Sequence, residues 1–274
     1  MEGKNQYFTL PRLAGIRLHS LHWGHRSEQT LVLLHGGGAN AHWWDHLAPE
    51  LAKRSRVVAL DFRGHGDSDH PEELAVGAFN DDLEALLEYL GAAEAILVGH
   101  SMGAHVALDH AARNPATRAL ALIDAARGAP RKARRSARLA LLFRRTYASR
   151  EEAIARFRFH PPARHASESL RESIARHSVH RDSDGRFAFK FDPRWFGIPP
   201  RPAPDLSQVR CPTLVLRGGE SELLARGAAE AFHAELPDSR FIEIEGAGHH
   251  AQLDQPEAVL AALRVFLKER VSID

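Results

Sequence analysis

The sequence lacks three features, and each absence narrows its role. It holds one cysteine, Cys211, among 274 residues. No internal disulfide framework can form, which fits a reducing compartment. It has no run approaching the ~20 consecutive apolar residues of a membrane span. It also lacks an excess of one charge: 36 Lys and Arg stand against 35 Asp and Glu, a net charge of +1. No global field therefore draws nucleic acid or an anionic bilayer. The opening Met1-Glu2-Gly3-Lys4-Asn5-Gln6 has no apolar stretch of signal-peptide length behind a basic region. The expectation is a soluble, cytoplasmic protein with a small-molecule partner and neither a nucleic-acid nor a membrane partner. No internal repeat or low-complexity tract is present. What is present is a 44% hydrophobic chain, enough to bury a sizeable core.

Short apolar runs alternate with helical spacing over much of the length. Tyr7–Leu10 and Ile16–Trp23 suit two strands, with Pro11 and Gly15 marking the turn between them. Thr30–Leu34, Val57–Leu60, Ala95–Val98 and Ala119–Ile123 suit strands buried on both faces of a parallel sheet. Between them lie expected helices at Asn40–Lys53, Asp81–Leu90 and Met102–Arg113, the first with Asn40 as N-cap and the second stopped by Gly91. Such alternation implies right-handed βαβ units. The rhythm breaks from Ala125 to Asp205, where helical stretches lead to Pro199, Pro200, Pro202 and Pro204. This predicts an inserted helical cap over residues 125–205, returning through a stiff proline segment. The core then comprises residues 1–124 and 206–274. It resumes with a strand at Thr213–Leu216, a helix to about Leu236, a strand at Arg240–Ile244 and a helix at Glu257–Arg270.

Three motifs carry chemistry. Gly99-His100-Ser101-Met102-Gly103 lies where a buried strand meets a helix, the context that projects a serine Oγ above a sheet. His35-Gly36-Gly37-Gly38 also ends a strand. Acyl transfer needs preorganised N–H donors for its oxyanion, and these fall to Met102, after the serine, and to Gly37. Gly246-Ala247-Gly248-His249-His250 follows the last strand. A serine nucleophile needs a base, and His249, directly after the turn, suits that role, with His250 as a pocket or supporting residue.

With Asp61-x-Arg63-Gly64-x-Gly66-x-Ser68 and Leu253-Asp254-Gln255-Pro256, this order of motifs resembles the α/β-hydrolase superfamily. The resemblance covers the chain outside the insertion. It implies an α/β fold with a mostly parallel, doubly wound sheet, and an enzyme that needs no cofactor. The Asp61–Ser68 loop is structural in that family. Members include esterases, lactonases, C–C bond hydrolases and cofactor-free haloperoxidases, together with epoxide hydrolases and haloalkane dehalogenases, which use an aspartate nucleophile. Ser101 argues against the last two. The triad acid is expected to be Asp124, with Glu222 and Glu220 as alternatives. The family often places an aspartate after the strand Thr213–Leu216, but Arg217-Gly218-Gly219-Glu220-Ser221-Glu222 has none. Some members place it one strand earlier, where Asp124 stands. Asp124 directly follows an apolar strand and has a short side chain, whereas Glu222 and Glu220 lie in a loop beside two glycines and carry an extra methylene to fix. The expected function is cleavage of a carboxylic ester or lactone. The alternatives are a C–C bond hydrolase of a dioxo acid, or a ligand receptor on the same fold.

Other features have bland and sharp readings. Trp43 and Trp44, just after the oxyanion loop, suit a substrate pocket or helix packing. His42 and His46 are spaced i,i+4, but no third ligand accompanies them, so no metal site is expected. The run Arg127–Arg150 is rich in Arg and Lys and has no acidic residue. It suits a solvated face or an attraction for acidic substrates.

Overall fold

The computed structural model describes residues 2–25, 29–73, 75–125, 145–197 and 201–271. The chain enters through an antiparallel pair, β1 (Lys4–Phe8) and β2 (Leu18–Trp23). Then follow β3 (Thr30–Leu34), α1 (Ala48–Leu51), β4 (Arg56–Asp61), α2 (Ala78–Leu90), β5 (Ile96–His100), α3 (Met102–Arg113) and β6 (Ala119–Ile123). After the insertion come β10 (Thr213–Gly218), α6 (Arg226–Glu235), β11 (Ser239–Ile244), α7 (Ala251–Asp254) and α8 (Pro256–Val271). The main sheet has 8 strands in the order β1-β2-β4-β3-β5-β6-β10-β11. Apart from β2, which opposes both of its neighbours, adjacent strands are parallel.

The pleat sorts the core into two layers. Val32 and Leu34 of β3, Leu97 of β5 and Leu120 and Leu122 of β6 face α2, α3 and α6. Leu31, Leu33, Ile96, Val98 and Ile123 face the opposite layer, formed by Trp44, Leu47, Leu263 and Phe266. Each such fully buried side chain contributes roughly 1.5–3 kcal/mol relative to exposure. Both faces are covered, as the continuous apolar runs require. The chain leaves β3, β4, β5, β6, β10 and β11 at one edge of the sheet, and every candidate catalytic residue lies in the loops there.

Two expectations change. Asn40–Lys53 is not one helix but a 3-10 turn over Ala41–Trp44 followed by α1. Pro49 has no N–H to donate to Asp45, so one continuous ladder cannot pass through it. The insertion is also not purely helical. Its described part pairs β7 (Thr146–Tyr147), β8 (Val179–Arg181) and β9 (Phe187–Phe189) in a 3-stranded antiparallel sheet, alongside α4 (Arg150–Arg156) and α5 (Glu168–His177). Phe187, Phe189 and Phe191 alternate with Ala188 and Lys190, a period of two that fits a strand. Its partners β7 and β8 are only two and three residues long, too short to show any pattern. Ser149 and Ser167 cap the two helices by accepting from the N–H groups of Glu152 and Leu170. Pro199 and Pro200 of the proline return lie outside the described residues.

Trp44 is fully buried in the second layer. Trp44→Ala should cost about 3–5 kcal/mol of stability, read from denaturant unfolding. A loss under about 1 kcal/mol would contradict this packing.

Candidate active site

Ser101 sits between β5 and α3 in a backbone conformation that L-residues rarely adopt, φ 50° and ψ −112°. Its N–H donates to the Ile123 carbonyl at 3.0 Å, which ties the elbow to β6. The turn closes only because Gly103 is bare: a Cβ there would lie 2.4 Å from the Leu34 carbonyl oxygen. On the far side of the serine, a Cβ on Gly36 would lie 3.3 Å from Ser101 Cβ, so the Gly36–Gly38 loop runs directly against it.

His249 arrives from β11 through the Gly246–Gly248 turn. Its Nε2 lies 3.0 Å from Ser101 Oγ, and its Nδ1 lies 2.6 Å from Asp124 Oδ2. A carboxylate only accepts, so Nδ1–H donates to Asp124 and Nε2 is left to accept from the serine hydroxyl. Asp124 follows β6 in the left-handed region, φ 46°, which aspartate tolerates better than most residues. Its N–H donates to the Leu216 carbonyl at 2.8 Å. Its carboxylate also accepts from the Gly218 N–H at 3.3 Å and from Ser221 Oγ at 2.6 Å. Both rival acids point elsewhere: Glu220 to His165 at 2.8 Å and Glu222 to Arg164 at 2.9 Å, all with exposed side chains.

Around this chain of three residues lies a layer of buried imidazoles. His100 Nε2 donates to the His249 carbonyl at 3.0 Å, and His250 Nε2 donates to the Pro161 carbonyl at 2.8 Å. Burial drives both rings well below the ordinary histidine pKa. His35 is lowered by burial, and burial takes His65 down to about 3. With His249, His100 and His250 form a cluster tight enough to share an ion, but one nitrogen of each is already committed to a carbonyl or the serine. The structural loop is fastened by Asp61. Its Oδ1 accepts from the Ala41 N–H at 2.6 Å, and its Oδ2 accepts from the Asp67 N–H at 2.9 Å and His19 Nδ1 at 2.7 Å. Burial alone would raise its pKa; the bonds, led by His19, outweigh that and hold it at about 2.

The profile of the alpha/beta hydrolase family matches residues 31–262. The chain belongs to the alpha/beta hydrolase family. Esterase Rv0045c of Mycobacterium tuberculosis is 29% identical over 266 residues, 92% of this chain and 87% of that protein. Epoxide hydrolase 4 of Mus musculus is 35% identical, but over only 97 residues, 34% of this chain and 27% of that protein. A solved alpha/beta hydrolase of Novosphingobium aromaticivorans superposes with a TM-score of 0.81 at 27% identity, covering 97% of this chain and 98% of that one. E-2-(acetamidomethylene)succinate hydrolase shares the fold, with a TM-score of 0.82 at 24% identity over 97% and 99% of the two chains. The protein is a hydrolase enzyme, and among its described residues no helix is long and apolar enough to cross a membrane.

In this alpha/beta hydrolase the two tryptophans part company. Trp43 packs edge-on against Phe159 of the insertion at 5.2 Å and against His250 at 5.3 Å. Trp44 does not line a pocket; one step along the 3-10 turn its ring points into the core. His42 and His46 do not converge either, because His46 Nε2 bonds the Gln252 carbonyl at 2.7 Å. Residues 127–144 of the basic run lie outside the described residues. Beyond them, Arg150 donates to the Arg176 carbonyl on the surface.

Two residues escaped the sequence reading. Ser221 clamps the Asp124 carboxylate, and only the adjacency of β6 and β10 brings them together. Trp195, from a 3-10 turn of the insertion (Pro193–Gly197), covers Gly37 so closely that a Cβ there would lie 2.1 Å from its ring. An aromatic residue in the proline-rich segment was the one available signal.

The buried neutral histidines make an acid prediction. Their folded pKa values lie below the unfolded value near 6.5, so below that pH the unfolded chain binds more protons. Stability then falls by about 1.4 kcal/mol per pH unit for each ring that stays neutral. Thermal unfolding followed at pH 7.5, 6 and 5 should show a steep loss of Tm below about 6.5; a flat profile would refute it.

Proposed function

We propose that this hydrolase cleaves a carboxylic ester or lactone through an acyl-enzyme on Ser101. The observation that carries the reading is the unbroken hydrogen-bond chain Asp124–His249–Ser101. Ser101 Oγ attacks the carbonyl carbon while His249 Nε2 takes its proton. The oxyanion is held by the N–H groups of Met102 and Gly37; neither donates to another protein group among the described residues. As the C–O bond breaks, His249 returns the proton to the departing alkoxide. In a lactone that alcohol stays tethered to the acyl chain. Water then attacks the acyl-enzyme with His249 again as base, which releases the acid and restores Ser101. Asp124 orients the ring and stabilises the imidazolium formed at each transfer.

The extended likeness to an esterase supports this reading over the epoxide hydrolase likeness, which covers about a third of the chain. The insertion serves as a cap. Trp43, Phe159 and His250 face the site from one side, and Trp195 covers the oxyanion glycine from the other. The apolar surroundings these rings give the site favour an apolar acyl or alcohol group.

Ser101→Ala should abolish covalent labelling by a fluorophosphonate and hydrolysis of p-nitrophenyl esters while leaving the fold intact. Wild-type turnover by that variant would end the proposal. A panel of esters, lactones and dioxo acids separates the chemistries: turnover confined to dioxo acids indicates C–C cleavage, and labelling without turnover indicates a receptor. Asp124→Asn should lower kcat by about 10⁴, and Glu222→Gln should leave kcat within a few-fold; the reverse pattern would reassign the acid.

Trp195→Ala should shift preference toward bulkier acyl chains, seen as a rise in kcat/KM for p-nitrophenyl octanoate relative to acetate. An unchanged ratio would remove Trp195 from the pocket wall.

A further inference from the structure

A cluster that the catalytic chain leaves unused lies where the insertion meets the loop behind Gly37. His42 and Asp45 belong to the turn that follows Asn40, and His177 ends α5. The rings of His42 and His177 stack with centroids 4.0 Å apart and planes 16° apart. His42 Nδ1 lies 2.8 Å from Asp45 Oδ2. His177 Nδ1 donates to the Ser173 carbonyl at 2.9 Å, which fixes the tautomer and leaves Nε2 with its lone pair free. Asp45 Oδ1 is buried without a hydrogen-bond partner. One donor atom from each of the three residues lies within 4.8 Å of the others.

We propose that His42, Asp45 and His177 bind a divalent transition cation of the zinc class, which clasps the insertion to the loop carrying Gly37. Two imidazoles and a carboxylate are a donor set suited to zinc, with water completing a tetrahedron. Ligand distances of about 2.0–2.2 Å require donors roughly 3.3 Å apart. The exposed His177 and the partly exposed Asp45 can close that gap by side-chain rotation. The position gives the ion a mechanical role. Next to the cluster, Asn40 Nδ2 donates to Ser178 Oγ at 3.1 Å, a neutral bond between core and insertion. An ion held by residues of both parts reinforces that joint without touching Ser101. The sequence offered His42 with His46; the third partner comes from more than a hundred residues away, which spacing cannot show.

The test titrates cobalt(II) into the full-length protein after chelator treatment and follows the visible d–d bands. The expected result is one equivalent per chain, bound at micromolar or tighter affinity and retained in His249→Ala. It should be lost in His177→Gln and weakened at least about tenfold in Asp45→Asn. Zinc should raise the Tm of the wild type by a few degrees and leave that of His177→Gln unmoved. His177 is exposed, so the metal-free Tm of its variant should match the wild type; His42→Gln supplies a second variant if it does not. Absence of a saturable equivalent, or its survival in His177→Gln, would overturn the proposal. So would its loss in His249→Ala, which would move the ion to the imidazoles beside Ser101.

Discussion

Asp124 has no solvent exposure, and a carboxylate in that position is tolerable only when its lone pairs are filled. The three groups that fill them come from different places: the Gly218 N–H at the end of β10, the Ser221 hydroxyl in the loop beyond it, and His249 after β11. They converge because β6, β10 and β11 lie side by side in a fixed parallel register, Leu120 opposite Thr213 and Thr213 opposite Ser239. A slip of one residue would turn every side chain of a strand to the other face. Sheet register and the geometry of the Asp124–His249–Ser101 chain are therefore one constraint. The two-sided burial of Leu214, Val215 and Leu216 holds the register, and the register delivers the donors.

A second buried carboxylate does similar work for the oxyanion side. Asp61 ends β4 and gathers the N–H groups of Ala41 and Asp67 with the imidazole of His19. The loop bearing Gly37 is thereby tied at Ala41 to the neighbouring strand, while Gly36 abuts Ser101. In the proposed reaction the N–H donors must not reorganise, and this bonding stiffens the loop that carries one of them.

Much of this was legible because it rests on short-range rules. The apolar runs ending in His35-Gly36, Gly99-His100 and Asp124 marked strands whose exits share one sheet edge, and topology brought the rest together. Location alone leaves Asp124, Glu222 and Glu220 as candidates for the acid, since all three leave strand ends on that edge, and only side-chain length and backbone anchoring favour Asp124. What separates them is direction: the glutamates turn outward to Arg164 and His165, residues of the insertion whose position no local pattern encodes. The insertion is the least legible part of the sequence for the same reason. Val179-His180-Arg181 is too short to show a period, and its pairing with Phe187–Phe189 depends on a turn through Asp184 and Gly185. Trp43 and Trp44 illustrate the limit at single-residue scale, because adjacent identical side chains go to the site and to the core according to the phase of a 3-10 turn.

How the insertion is held bears on how it can influence the chemistry beneath it. Its exposed ion pairs, such as Arg164 with Glu222, contribute little, whereas Lys190 with Asp67 and Arg201 with Asp109 are partly buried. The firmer ties are backbone bonds, from the Gly66 N–H to the Lys190 carbonyl and from the Asp192 N–H to the Gly64 carbonyl. These fasten the β9 side to the Asp61–Ser68 loop. The other side hangs on Asp254. Its Oδ1 accepts from the N–H groups of His165 and Ala166, while its Oδ2 accepts from the Gly248 N–H at 2.9 Å. Gly248 immediately precedes His249. One carboxylate thus bonds both the insertion and the turn that aims the imidazole, so displacement of the insertion on that side pulls on the residue next to the base. On the β9 side the corresponding link runs through Trp195 to Gly37. The insertion is thus joined to the turn before His249 and to the loop bearing Gly37 by these two contacts.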